Sequence, residues 1–211
     1  MILVGQYDSP FVRRVAVTLH HYHMPFVRNP LSVFADKKAV QVMNPLLRVP
    51  ILILENGEHV IDSNAIIDHL DHMAGNVRAL TPANGPERRK VLQACALSTG
   101  CSDKVVSLFF ERQFHSKKSV SSELDARLSS QIKATLQRLE HDCGTPWFND
   151  HHMTQADVTI GCTLSHLKLR LPEFFPTTAY PKLHALSRHC EMMPEFDAAR
   201  IGANETVPKK L

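Results

Sequence analysis

The sequence predicts a small α/β domain followed by an all-helical one. Two observations carry this. Strand-like and helix-like stretches alternate up to Gly75 in the order β-α-β-α-β-β-α, which suits a small α/β sandwich. Beyond the breaker cluster Thr81-Pro82-Ala83-Asn84-Gly85-Pro86, helical signals dominate. The expected division is residues 1–75, a linker over 76–86 and a helical domain over 87–211, and a chain of 211 residues can bury a core in each.

Ile2 to Gln6 is short and β-prone, and Tyr7-Asp8-Ser9-Pro10 closes it with a turn composition. Pro10 suits the first turn of a helix, where a missing N–H costs nothing, and Val12, Val15, Ala16 and Leu19 recur at helical spacing. Pro25-Phe26-Val27 restarts an extended segment. A helix from Val33 to Met43 is expected next, and Asn44-Pro45 stops it, because the residue before a proline avoids helical backbone. Val49 to Leu54 reads as a strand, Asn56-Gly57 as a hairpin turn and His59-Val60-Ile61 as the return strand. Ser63 can cap the helix that carries Ala65, Ile66, Ile67 and Leu70 and ends at Gly75.

In the second part, one long helix is expected from Glu87 to Phe114, with a bend near Gly100. Leu124, Leu128, Ile132, Leu136 and Leu139 give Ser122 to Asp142 an amphipathic pattern, which Gly144-Thr145-Pro146 breaks. Thr154-Gln155-Ala156-Asp157 opens a helix with capping-box spacing that runs to about residue 171, and shorter helices follow Pro181 and Pro194.

Composition excludes several classes. Hydrophobic residues at 44% and charged residues at 21% are those of an ordinary folded soluble protein. The net charge is only +3 and the lysines and arginines are scattered, so a nucleic-acid partner is not expected. The apolar start ends at Gln6, too soon for a signal-peptide core, and no apolar run is long enough to span a bilayer, so neither export nor membrane insertion is expected. Five cysteines without a CxxC spacing read as reduced thiols of a cytoplasmic protein. Thirteen histidines include His20, His21, His23, His69 and His72, yet no Cys or carboxylate set completes a metal site, and no metal is expected.

Four motifs in order carry a family resemblance. They are Ser9-Pro10-Phe11-Val12-Arg13-Arg14, Asn44-Pro45-Leu46-Leu47-Arg48-Val49-Pro50, Ile61-Asp62-Ser63-Asn64-Ala65-Ile66 and Thr154-Gln155-Ala156-Asp157. Together they resemble the active-site turn, the Asn-Pro-x-x-x-Val-Pro segment, the acidic-Ser-x-Ala-Ile motif and the Ser/Thr-x-Ala-Asp box of cytosolic glutathione transferases, in the bacterial type with Ser at the turn. The resemblance implies a thioredoxin-like N-terminal domain, an all-α C-terminal domain and a cytoplasmic homodimer. It also implies glutathione as co-substrate, conjugated to a small hydrophobic electrophile in detoxification. Three departures stand out. Leu47 occupies a place where many members have Gly, Asp62 replaces the commoner Glu with one methylene less reach, and Ser9 stands where thiol-using members have Cys.

The resemblance assigns glutathione to Ser9, Phe11, Arg48, Val49, Pro50, Asp62 and Ser63, with Ser9 as the catalytic residue. A free thiol titrates near ~8.5 and must be ionised to attack, which a helix N-terminus and a hydroxyl donor can both promote. Ser9 is placed for both roles, although a serine there also serves simply as a turn or N-cap residue, and Tyr7 is a nearby competitor. In the family the Val49-Pro50 bond is cis and exposes backbone groups on which the cysteinyl residue of glutathione pairs like an added strand; an ordinary trans proline starting an edge strand is the alternative. Asp62 would meet the γ-glutamyl ammonium, Ser63 the γ-glutamyl carboxylate, and Arg48 the glycine carboxylate. Thr154 and Asp157 read as structural. Cys101 with Asp103, and Phe109 with Phe110, are candidates for a second-substrate site, against the default of core packing.

Two further readings remain open in the sequence. One is glutathione-dependent reduction of a disulfide or peroxide, which uses the same thiolate. The other is a binding or assembly module of this fold without turnover.

Overall fold

The computed structural model describes residues 1–115, 120–203 and 205. The chain forms two compact units. One holds Met1–Gly85 together with the described residues from Met192 on, and the other runs from Pro86 to Glu191.

In the first unit the order is β1 (Ile2–Val4), α1 (Pro10–His21), β2 (Val27–Asn29), α2 (Lys37–Met43), β3 (Ile51–Ile53), β4 (His59–Val60) and α3 (Ser63–Ala74). The four strands lie in the order β2-β1-β3-β4, with β1 parallel to β2 and antiparallel to β3, and β3 antiparallel to β4. Leu3 and Val4 in the middle strand are wholly buried. Their side chains leave opposite faces of the sheet, as strand alternation requires. Val4 joins Val40 of α2 and Ile51 of β3, with Leu47 and Val49 packed around them. The buried faces of α1 (Val12, Val15, Ala16, Leu19) and α3 (Ile66, Leu70) pack on one another. The Asn56-Gly57 hairpin forms as expected: Gly57 takes φ +84°, and Asn56 Oδ1 accepts from Glu58 N at 2.9 Å.

Two local expectations need correcting. The second helix starts at Lys37, not Val33, because Asp36 and Ser32 turn their side chains back on the chain. Ser32 N donates to Asp36 Oδ2 at 2.9 Å and Phe34 N to Ser32 Oγ at 3.2 Å, local bonds that compete with helix. The cap of α3 is Asp62, which accepts from Asn64 N at 2.9 Å, whereas Ser63 lies inside the first turn.

The second unit carries α4 (Gly85–Phe114), α5 (Ser122–Asp142), α6 (Gln155–Arg170), a 3₁₀ turn (Pro172–Phe174) and α7 (Pro181–Glu191). The α4 helix continues through Gly100. The α6 helix is buried on nearly every side from Gln155 to Leu164, so it forms the centre of the unit. Its start is fixed by the capping box. Thr154 N and Phe148 N donate to the Asp157 carboxylate at 2.8 and 2.7 Å, and Ala156 N to Thr154 Oγ1 at 3.3 Å. The N-terminus of α7 is capped from afar: Lys182 N and Leu183 N each donate to Glu140 of α5 at 2.9 Å.

The last helix, α8 (Pro194–Ala198), belongs with the first unit. Arg13 of α1, only 2% exposed, donates through Nε to Ala199 O at 2.9 Å and through Nη2 to Phe196 O at 3.3 Å. His21 Nδ1 lies 3.0 Å from Glu195 Oε1. This grouping differs from the expected helical domain over 87–211, whose residues 116–119, 204 and 206–211 lie outside the described ones. Among the described residues, no helix is long and apolar enough to cross a membrane.

Candidate functional site

The site begins at a glycine. Gly5 follows β1 with φ +128°, and a Cβ there would lie 2.5 Å from Val12 Cγ2 and 2.9 Å from Val49 Cβ. Only a residue without a side chain lets the strand end, the first turn of α1 and the loop before β3 approach so closely. That approach brings together two segments picked out in the sequence, the turn with Ser9 and the loop with Val49-Pro50. The Val49-Pro50 bond is cis, as the family resemblance implies.

Ser9 is half-buried and is the N-cap of α1, with Pro10 at the first helical position. Its Oγ accepts from Val12 N at 3.4 Å, a long bond. In that bond the oxygen only accepts, so the hydroxyl proton remains to be donated. A second acceptor at the turn would receive it together with the positive end of the helix. Both sequence readings of Ser9, cap and donor, are therefore compatible.

The loop carrying Arg48 and Val49 is ordered by Asn44, 3% exposed, which donates through Nδ2 to Arg48 O at 2.9 Å and accepts from Leu46 N at 3.1 Å. Leu47 takes φ +52°, which explains why glycine suits that place. A leucine there costs about 1–2 kcal/mol in backbone strain, and its packing on the Val4–Val40–Ile51 cluster works against that cost. The Arg48 guanidinium lies 5.7 Å from the centre of the half-buried Phe11 ring, so these two predicted residues share one side of the turn.

Asp62 and Ser63 stand at the start of α3, the first exposed and the second 2% exposed. A residue that sequence reasoning read only as part of a motif holds them there. Arg14 of α1, also 2% exposed, donates through Nη1 to Ser63 Oγ at 3.1 Å and to Asn64 Oδ1 at 2.8 Å. A buried guanidinium is costly unless its donors are used, so these bonds fix the start of α3 against α1. Ser63 Oγ accepts here, and its own proton can be donated to a carboxylate.

Tyr7 is 3% exposed, and the Arg28 guanidinium lies 3.6 Å from the centre of its ring. Burial pushes its phenol above the usual value, and Arg28 only partly offsets this, so it stays protonated at neutral pH. All five cysteines are buried and unpaired by disulfides. Burial holds the Cys101 and Cys143 thiols up at about 12, which removes them as nucleophiles at neutral pH. Cys101, 1% exposed, is thus a core residue. Phe109 and Phe110 are half-buried on α4, with ring centres 6.0 Å apart and Arg170 over Phe109 at 5.0 Å. His20 stacks edge-on with Phe26 at 5.1 Å. Among the described residues, no group of three or more His, Cys, Asp or Glu side chains is arranged to hold a metal ion.

A mixed four-stranded sheet with a capped helix facing a cis-proline loop defines a thioredoxin-like domain, and a helical domain follows it. The comparisons agree. The glutathione S-transferase N-terminal domain model matches residues 3–78 and the C-terminal domain model matches residues 124–189. The uncharacterised glutathione S-transferase-like protein YibF of Escherichia coli (strain K12) is 31% identical over 172 residues, covering 81% of this chain and 83% of that protein. The chain belongs to the glutathione S-transferase family. A glutathione S-transferase of Methylobacterium radiotolerans, solved with glutathione sulfonate, has a TM-score of 0.89 at 26% identity, with 98% of each chain covered. A family member from Pseudomonas fluorescens Pf-5, solved with bound glutathione, has a TM-score of 0.84 at 27% identity, covering 96% of this chain and 99% of that one.

Proposed function

We propose that this protein is a glutathione transferase that binds glutathione as the thiolate and conjugates it to small electrophiles. The observation that carries the reading is the placement of Ser9, a half-buried hydroxyl at the N-terminus of α1 whose proton is not used in its own cap bond. In the reaction the thiolate sulfur attacks an electrophilic carbon, a C–S bond forms, and the leaving group departs with the electron pair. Ser9 donates to the sulfur before attack and the helix end stabilises its charge. Glutathione's cysteinyl backbone pairs beside Val49-Pro50, its γ-glutamyl carboxylate meets Ser63, its ammonium meets Asp62, and its glycine carboxylate meets Arg48. Bound glutathione in the solved relative from Pseudomonas fluorescens supports the ligand. The buried state of all five thiols favours conjugation over chemistry by a protein cysteine.

The reading includes a cytoplasmic homodimer acting in detoxification. Met73 (49% exposed), Val77 (100%) and Leu92 (44%) are apolar side chains of the kind a second copy would cover.

The direct test is the ultraviolet absorbance of the thiolate, titrated with glutathione bound to the unaltered protein. The bound thiol is expected to be largely ionised at neutral pH, well below ~8.5. A bound thiol that titrates like the free one would refute activation. Asp62→Asn is expected to weaken glutathione binding by about 1.5–3 kcal/mol, the size of a hydrogen bond to a charged group, because the amide no longer attracts the ammonium. Calorimetry with unchanged affinity would remove Asp62 from the site.

A further inference from the structure

The chain's last described residue is a buried carboxylate. Glu205, 6% exposed, accepts from Tyr7 N through Oε2 at 2.9 Å. Gly202 N reaches the same oxygen at 3.4 Å, and the other oxygen pairs with Arg28 of β2. Arg28 in turn covers the Tyr7 ring. The carboxylate therefore grips the backbone two residues before Ser9, in a turn that Ser9 N also closes by donating to Gln6 O at 3.2 Å. Nothing in the chemistry of conjugation requires an acidic residue at this place. A charge so deeply buried is retained against its desolvation cost only where its partners repay it.

We propose that Glu205 is a positioning residue of the glutathione site: by accepting the Tyr7 N–H, its carboxylate holds the turn that carries Ser9. The proposal rests on the glutathione reading above. Arg28 neutralises the carboxylate, so its effect on the sulfur is one of placement, not of charge. With the turn held, the Ser9 hydroxyl and the start of α1 keep one geometry toward the thiolate. Without it, the hydroxyl samples several, and fewer of them donate to sulfur. The contacts assigned to Asp62, Ser63 and Val49 lie on other segments and are untouched.

Glu205→Ala and Glu205→Gln separate this role from simple anchoring of the C-terminal segment. Glutamine keeps an acceptor oxygen for Tyr7 N but gives up the ion pair with Arg28. In Glu205→Ala, amide hydrogen exchange over residues 7–14 should quicken by about fivefold or more, the factor expected for one lost hydrogen bond. The pKa of bound glutathione should rise by about half a unit or more, and kcat at neutral pH should fall while KM for glutathione stays within about twofold. Glu205→Gln should stay near the unaltered protein in all three measurements. Unchanged exchange and an unmoved thiol pKa in Glu205→Ala would overturn the proposal, as would a glutamine variant that behaves like the alanine one. If the unaltered protein leaves the thiol of glutathione at its free value, the transferase reading fails by itself. The exchange measurement then still decides whether Glu205 holds the turn.

Discussion

Replacing Ser9 by alanine is expected to raise the pKa of bound glutathione by about one to two units, the equivalent of a charge-assisted hydrogen bond of about 1.5–3 kcal/mol. The direction follows from which form the hydroxyl stabilises. Its proton is donated to the thiolate and offers less to the neutral thiol, so its loss favours protonation. Turnover at neutral pH falls with the thiolate fraction, by about tenfold or more where the new pKa lies above the working pH. At high pH the variant recovers, because the thiol then ionises unaided. Affinity for glutathione changes less than turnover, since the contacts proposed at Val49, Asp62 and Ser63 remain. The control is Tyr7→Phe, whose phenol is buried and held above its usual pKa. An unmoved titration curve in Ser9→Ala together with a shifted one in Tyr7→Phe would transfer the role to Tyr7. If neither moves, either the helix end alone activates the thiol or the protein binds glutathione without activating it.

The second large effect is on stability. Asp157 is wholly buried and receives three donors: Phe148 N at 2.7 Å, Thr154 N at 2.8 Å and Thr154 Oγ1 at 3.0 Å. Asp157→Ala leaves the two backbone donors without a partner inside the protein, and each such loss costs about 1–3 kcal/mol. The total is expected near 3–5 kcal/mol, or a fall in Tm of about 10 °C for a chain of this length. Thr154→Ala, which removes only the bond to Ala156 N and one donor to Asp157, should cost about 1 kcal/mol. Thermal unfolding measures both. The two variants should bind glutathione normally while folded, because the box belongs to the helical unit's core. A Tm shift of only a degree or two in Asp157→Ala would show that water or a rearranged loop replaces the carboxylate.

The elements whose ends carry their own chemistry were legible in the sequence. Asn56-Gly57 marks its hairpin, Pro10 the start of α1 and Thr154 with Asp157 the start of α6, because each acts on backbone within a few residues of itself. Local competition produced the two boundary errors. Asp36 turned back to Ser32 and shortened α2, and Asp62 took the cap expected of Ser63. Arg13 and Arg14 were not legible as buried. Charge is ordinarily a sign of exposure, and their partners lie 186 and 49 residues away in sequence, so no local pattern announces them. The same distance hid the return of residues after Met192 to the first unit. The motif containing both arginines was visible, but its meaning as a clamp on α3 and α8 required the fold.

The Arg13 bonds also set a timetable for the chain as it is made. Its acceptors, the carbonyls of Phe196 and Ala199, are synthesised after the entire helical unit. At roughly 5–20 residues per second, the interval between Gly85 and Met192 lasts on the order of 5–20 s. Throughout that time the nascent first unit holds a guanidinium on α1, one turn from Ser9, without the two carbonyls that will receive it. The turn that would activate glutathione is therefore translated before the helical unit and reaches its final form only after that unit has been made.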